Sequence, residues 1–155
     1  MTYIARAVAP FKVDILAGSD PSSFTVGAQI PCTGTPQNTG VTVSSGALTL
    51  YAGSSWRIEY SAAFAGNLTT GNGEYTLQFY STTDSAYVGQ KMWATSPGYN
   101  NARKGRVTCT ALILDSDIST SKTIEVRIIS LNQMQSGTAY AFLGNANFRI
   151  LELPS

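Results

Sequence analysis

The chain has 155 residues, of which 12% are charged and 43% hydrophobic, and its formal net charge is +1. A nearly neutral chain gives no electrostatic argument for nucleic acid or an anionic membrane as a partner, and no apolar run approaches the ~20 residues that span a bilayer. Histidine is absent, which excludes a Ser-His-Asp triad and most zinc sites. The length is typical of one domain, so we expect residues 1–155 to form a single domain.

The first 40 residues are the least regular part of the chain, and we expect an irregular arm there, followed by a main sandwich over residues 41–155. Pro10 interrupts the first extended stretch because proline cannot donate to a ladder. Ala17 to Gly46 is rich in glycine and proline, and a long loop in a compact domain is often functional. The candidate short strands of this part are Tyr3–Val8, Phe11–Leu16, Phe24–Val26 and Ala28–Ile30.

Strand patterns are clearer from Val41 onward, and the strongest begins at Trp56. Trp56, Ile58 and Tyr60 alternate with polar residues, which predicts a strand with one buried and one solvated face. We expect Gly71–Gly73 to close a hairpin between this strand and the next one, and the last two strands to pair around Gly144. The aromatic residues expected in the core are Trp56, Tyr60, Phe64, Phe79 and Phe148.

The chain shows eight to ten strand patterns and no helix pattern, which favours an antiparallel sandwich or barrel. Val41–Val43 and Ala47–Tyr51 flank a turn-like Ser-Ser-Gly triplet. The later predicted strands are Glu74–Ser81, Tyr87–Trp93, Arg106–Leu114, Thr123–Leu131, Thr138–Leu143 and Asn145–Leu153.

The N-terminus has neither the charged start nor the apolar stretch of a signal peptide, so we expect synthesis in a host cytoplasm. Cys32 and Cys109 are the two cysteines. Cys109 fits a buried hydrophobic position. A disulfide between these two cysteines is one alternative, although a cytosolic origin disfavours it.

Two parts of the sequence resemble the complement/tumour-necrosis-factor-like jelly roll. Gly46–Tyr60 is similar to its second and third strands, with the pattern Leu-x-Leu-x-x-Gly-x-Tyr/Trp-x-Ile, and Phe142–Leu153 is similar to its closing phenylalanine-x-glycine and hydrophobic strand. The resemblance covers roughly residues 40–155 and implies an antiparallel jelly-roll β-sandwich that forms a compact homotrimer. Such trimers occur in bacteriophage virions as capsid decoration (cement) proteins and as tips of tail fibres. The implied trimer-interface residues are Tyr140, Phe142 and Phe148.

The acidic residues do not form an evident catalytic pair. Glu59 and Glu125 occupy outward positions in strands that also carry arginines, which predicts cross-strand ion pairs for Arg57 and Arg127 rather than the paired acids of a glycosidase. Asp115–Asp117 resembles the start of a calcium loop but lacks the glycine and the distant glutamate that complete one. We therefore expect neither an enzyme nor a metal or cofactor site.

The function that the resemblance implies is that of a structural virion protein. As a trimeric decoration protein it would bind the major capsid protein at the capsid surface; the alternative is a receptor-binding head of a tail fibre that recognises a host surface glycan or protein. Tyr80, Tyr87, Trp93 and Tyr99 fall near strand ends or loops, where exposed aromatic residues often anchor contacts. The residues expected to contact a partner are Phe24, Trp93, Tyr99, Arg103, Lys104 and Arg106.

Overall fold

The computed structural model describes residues 11–14, 22–30, 41–53, 55–66, 72–97, 105–113, 120–132 and 139–153. These residues form eleven β-strands and no helix, against the eight to ten strands expected from the sequence. The strands are β1 Phe11–Asp14, β2 Ser22–Phe24, β3 Gln29–Ile30, β4 Val41–Ser44, β5 Ala47–Leu50, β6 Ser55–Gly66, β7 Asn72–Ser81, β8 Ala86–Pro97, β9 Gly105–Ile113, β10 Lys122–Asn132 and β11 Ala139–Leu153.

The strands form two antiparallel sheets. The five-stranded sheet has the order β1-β11-β6-β9, and β2 pairs with another part of β11. The six-stranded sheet has the order β4-β5-β10-β7-β8, and β3 pairs with β10 beyond the end of β5. The all-β, antiparallel architecture predicted from the sequence is confirmed.

The core lies between the inner faces of the two sheets, because each strand buries every second residue. In β10, Ile124, Val126 and Ile128 are buried and the residues between them are partly exposed. Trp56, at 1% exposure, is among the largest buried side chains, and its indole Nε1 donates to the Tyr51 carbonyl at 3.3 Å. The buried core cluster is Ile30, Val41, Leu48, Leu50, Trp56, Ile58, Tyr60, Tyr75, Leu77, Phe79, Ile113, Ile124, Val126, Ile128 and Ile150.

The predicted core positions Trp56, Tyr60 and Phe79 are confirmed. The side chains of Phe64 and Phe148 lie outside the described part of the structure. The described residues also do not include Tyr3–Val8, Cys32 or Asp115–Asp117. Of Cys109, the structure describes only the backbone, which lies on β9.

The predicted hairpin around Gly71–Gly73 is wrong. The strand β6 pairs with β11 and β9, whereas β7 pairs with β10 and β8 in the other sheet. The chain therefore crosses between the sheets at this point. Alternation of apolar residues shows which face of a strand is buried, but it does not specify the neighbouring strand.

The predicted final pair around Gly144 is also wrong, because β11 is one strand that pairs with β6 on both sides of this glycine. The register shifts between Phe142 and Asn147, where β11 advances by five residues and β6 advances by two. An irregularity with an odd number of extra residues exchanges the two faces of a strand relative to its neighbour. This shift bears directly on the predicted trimer interface.

Candidate binding surfaces

The residues predicted to contact a partner are only partly described. Trp93 lies on β8, the edge strand of the six-stranded sheet, and is 68% exposed. Phe24 on β2 and Arg106 on β9 are described by their backbone positions alone. The remaining predicted contact residues, Tyr99, Arg103 and Lys104, lie outside the described residues.

The register of β11 divides the three predicted trimer-interface residues into two groups. Tyr140 and Phe142 lie before the register shift, and their partners on β6 belong to the odd-numbered row that contains the exposed Arg57. Phe148 lies after the shift, and its partner is the buried Tyr60. Regular alternation would place all three positions in one row, so the shift separates Phe148 from the other two. For all three, the structure describes only the backbone.

The outer face of the five-stranded sheet carries a shallow depression of about 80 Å³. Arg57 Nη2 lies 2.7 Å from Glu59 Oε1 within the depression, and Glu59 is the register partner of Arg149. Ligand pockets for small molecules measure roughly 300–1,000 Å³, so this depression is too small to hold one. Its lining residues are Arg57, Glu59, Arg149 and Leu151.

The outer face of the six-stranded sheet carries a stack of aromatic and charged side chains. Arg127 Nε donates to Glu125 Oε2 at 2.8 Å, and the Arg127 guanidinium lies 3.6 Å from the centre of the Tyr80 ring. The Tyr80 and Tyr87 rings meet edge to face, with centroids 5.0 Å apart and an interplanar angle of 70°. Both contacts are favourable arrangements for aromatic rings, so Tyr87, which is 48% exposed, rests on fixed neighbours.

The prediction of cross-strand ion pairs for Arg57 and Arg127 is wrong about the strand on which the partner lies. Both ion pairs form, but each arginine pairs with the glutamate two residues away on its own strand. Alternation puts residues i and i+2 on the same face, so neighbours along a strand compete with neighbours across it.

A buried amide lies beside this stack, at an irregularity in β8. Leu77 pairs with Met92 and Phe79 pairs with Val88. The register shifts between these two pairs, because β7 advances by two residues and β8 advances by four. Gln78, only 7% exposed, lies opposite the additional residues, and its Nε2 donates to the Gly89 carbonyl at 2.7 Å. Gly89 has a φ of +73°, a conformation that glycine adopts without steric cost. Among the described residues, the Gln78 Oε1 has no hydrogen-bond partner.

The turn between β7 and β8 contains a second polar cluster, which stabilises the turn. Asp84 Oδ2 accepts hydrogen bonds from Lys122 Nζ at 2.8 Å and from the buried Ser81 hydroxyl at 2.6 Å. These two bonds lower the pKa of Asp84 below its usual range. Lys122 begins the neighbouring strand β10, so the cluster ties the turn to that strand.

Two further findings concern the part of the chain that the structure describes. No group of three or more His, Cys, Asp or Glu side chains there is placed to hold a metal ion. Within the same residues, no helix has both the length and the apolar character needed to cross a membrane.

Comparison with solved structures assigns the fold. The structure of Eiger TNF from S. frugiperda matches 96% of this chain and 94% of its own, with a TM-score of 0.60 and 7% sequence identity. The fold is a TNF-like jelly roll. The PRD1 vertex protein P5 matches 94% of this chain and 95% of its own with a TM-score of 0.42 and 14% identity, and the fold assignment does not depend on it. No family model matches the chain, and neither does any curated protein.

Sequence reasoning selected Tyr80, Tyr87 and Trp93 as candidate contact residues but did not select Gln78 or Arg127. A glycine within a strand pattern indicates a bulge or a close backbone approach, so Gly89 is the sequence signal for the irregularity in β8. No local signal indicates that Gln78 lies opposite it, because that contact depends on the pairing of β7 with β8.

Proposed function

We propose that this protein is a trimeric decoration (cement) protein of a bacteriophage virion, which binds the major capsid protein at the capsid surface and has no enzymatic role. The TNF-like jelly-roll fold is the observation that carries the proposal. The low charged fraction, 12%, supports it because neutral polar side chains cost less to desolvate at a contact than charged ones. A protein that binds the assembled shell and not its separated subunits shifts the equilibrium toward assembly by mass action.

The proposed trimer surface is the outer face of the five-stranded sheet, around Tyr140 and Phe142. Their register partners belong to the same row of β6 as the exposed Arg57, which is consistent with a contact on this face. For Phe148, the family resemblance suggests the interface whereas the register places it opposite the buried Tyr60. Substitution separates the two roles, since an interface residue affects association and a core residue affects unfolding.

The trimer proposal is tested by light scattering on the purified protein after size-exclusion chromatography at micromolar concentration. We expect a trimer, and we expect Tyr140→Ala and Phe142→Ala to shift the mass toward the monomer. Tyr51→Ala is the matched control, because Tyr51 is 41% exposed in a loop outside this face. A stable monomer of the unmodified protein would contradict the proposal.

The proposed capsid contacts are the segment from Ala17 to Gly46, with Phe24, and the segment 96–106, which joins β8 to β9. The second segment carries the only basic cluster of the sequence, and an acidic capsid patch is a partner of complementary charge. Antibody-gold electron microscopy on purified virions tests the location, and we expect labels over the head. Reduced rebinding of a variant with alanine at the three basic positions would support the contact assignment; those positions are Arg103, Lys104 and Arg106.

The second candidate function is that of a receptor-binding head of a tail fibre. The exposed rings of Tyr87 and Trp93 favour it, because exposed aromatic residues are frequent anchors of recognition. This function predicts gold labels at the tail, and purified protein that competes with virions for adsorption to cells. Virions without any label would contradict both candidates.

A further inference from the structure

We infer that the outer face of the six-stranded sheet between Tyr87 and Trp93 is a carbohydrate-binding site that takes a linear, uncharged oligosaccharide. We call this face the aromatic platform and define it by Gln78, Tyr80, Tyr87, Trp93 and Arg127. The inference deepens the receptor-binding candidate and rests on it for a biological role. Its test uses purified protein, so its failure would leave the decoration proposal, which is tested on virions, unaffected.

Two exposed rings mark the ends of the aromatic platform. Tyr87 is the register partner of Tyr80 and Trp93 is the register partner of Thr76, which lies four residues away on β7. At ~3.4 Å per residue, the backbone positions that carry the two rings lie about 14 Å apart along the sheet. One face of a sugar ring carries C–H groups that pack against the electron-rich face of an aromatic ring. This separation fits several linked sugar rings rather than a single one.

The ring of Tyr87 is held in place before any ligand binds. It contacts Tyr80 edge to face, Tyr80 lies under the Arg127 guanidinium, and Arg127 is fixed by its ion pair with Glu125. A surface that is already ordered loses less conformational entropy on binding. Weakly binding ligands such as oligosaccharides benefit most from such an arrangement.

Polar groups lie between the two rings, as recognition of hydroxyl groups requires. The Gln78 Oε1 is buried without a hydrogen-bond partner among the described residues, and an unsatisfied buried acceptor is costly. Because this oxygen has almost no accessible surface, a sugar hydroxyl would supply the missing donor only after the residues at the β8 irregularity shift. Trp93 is the register partner of Thr76, and the Thr76 hydroxyl lies 3.0 Å from the Ser130 hydroxyl. These two hydroxyls add neutral hydrogen-bonding groups to the same face.

The charge of the aromatic platform matches an uncharged ligand. Glu125 neutralises Arg127, and the exposed charges of this outer face without an ion-pair partner in the described structure are Lys91 and Glu74, which have opposite signs. Nucleic acid and acidic polysaccharides are bound through several cations at once. Their binding requires more positive charge than this face offers.

The two tryptophans make a selective measurement possible, because Trp93 is 68% exposed and Trp56 is 1% exposed. Collisional quenching by acrylamide therefore reports mainly on Trp93. Purified full-length protein is first screened on an array of immobilised neutral and sulfated oligosaccharides. The strongest neutral binder is then titrated, and we expect it to protect Trp93 from quenching and to shift its emission to shorter wavelength.

Four variants complete the test, each checked for folding by circular dichroism. We expect Trp93→Ala and Tyr87→Ala to weaken binding roughly tenfold or more, as is usual for aromatic anchors. Tyr51→Ala, an exposed tyrosine outside the aromatic platform, and Lys91→Ala are expected to stay within about twofold of the unmodified protein.

Three results would overturn the inference. The first is a lack of binding to every neutral oligosaccharide on the array. The second is binding to sulfated oligosaccharides alone that disappears in salt and in Lys91→Ala. The third is protection of Trp93 that depends on protein concentration and not on sugar, which would show that the aromatic platform is an interface between copies of the chain.

Discussion

Asp84 makes stability depend on pH through two identifiable contacts. The Lys122 ammonium and the Ser81 hydroxyl donate to its carboxylate, and the resulting low pKa means that the folded protein takes up this proton less readily than the unfolded chain. The stabilisation is therefore fully present above the unfolded pKa, about 3.9, and is lost as the pH falls through the lower folded value. We expect Asp84→Asn to melt at a lower temperature than the unmodified protein at pH 7, and the difference to close in acid.

Melting curves from neutral pH to below pH ~4 at low salt measure this effect, which is modest because the pair is partly exposed to solvent. Glu74→Gln is the control, since Glu74 is an exposed carboxylate whose described contact is a long one, 3.4 Å, to the Asn132 amide. Its curve should run parallel to that of the unmodified protein. A difference for Asp84→Asn that stayed constant at all pH values would show that charge is not the cause.

Among the secondary-structure elements, the β4–β5 hairpin has a turn whose first residue is not the one most favoured for its backbone conformation. Ser44 pairs with Ala47, and the two residues between them, Ser45 and Gly46, have φ of 51° and 79°. Two consecutive positive φ values define a type I′ turn, which prefers Asn-Gly. We expect Ser45→Asn to stabilise the fold by roughly 0.5 kcal/mol and Gly46→Ala to destabilise it by about 1 kcal/mol.

Urea unfolding of both variants measures these free energies. Ser44→Asn is the matched control, because Ser44 is exposed and belongs to the strand rather than the turn. It should bring no gain, since asparagine has no advantage in extended backbone. Equal stabilisation by both asparagines would contradict the turn argument.

For the whole molecule, we predict one cooperative unfolding transition over residues 1–155, as a single domain requires. Trp56 lies in the core and Trp93 at the surface, so a Trp93→Phe variant confines the fluorescence signal to the core. We expect its fluorescence and far-ultraviolet circular dichroism to change together. Separate transitions would indicate a second cooperative unit, and a trimer would add a dependence on protein concentration.

We also expect folding to be slow, on a timescale of milliseconds to seconds, because the sheets join strands that are distant in sequence. Trp56 on β6 pairs with Glu152 on β11, for example. Stopped-flow refolding of the same Trp93→Phe variant measures the rate. Folding in microseconds would show that local contacts dominate the transition state.

The burial pattern and the fold class were predictable from local sequence. Trp56, Ile58 and Tyr60 alternate with polar residues because a strand turns successive side chains to opposite faces, and this holds whatever the neighbouring strand is. The Ser-Ser-Gly turn was recognisable for the same reason, since turn residues act through their own backbone preferences. Of the aromatic platform, the sequence indicated Tyr80, Tyr87 and Trp93 as aromatic residues near strand ends.

Strand pairing and register were decided by the tertiary structure. The separation of β6 from β7, the continuity of β11 through Gly144 and the position of Gln78 opposite the β8 irregularity all depend on contacts between distant segments. A register shift is a property of two strands together, so neither strand's own pattern contains it. For this reason the sequence grouped Phe148 with Tyr140 and Phe142, whereas the folded chain pairs Phe148 with the buried Tyr60.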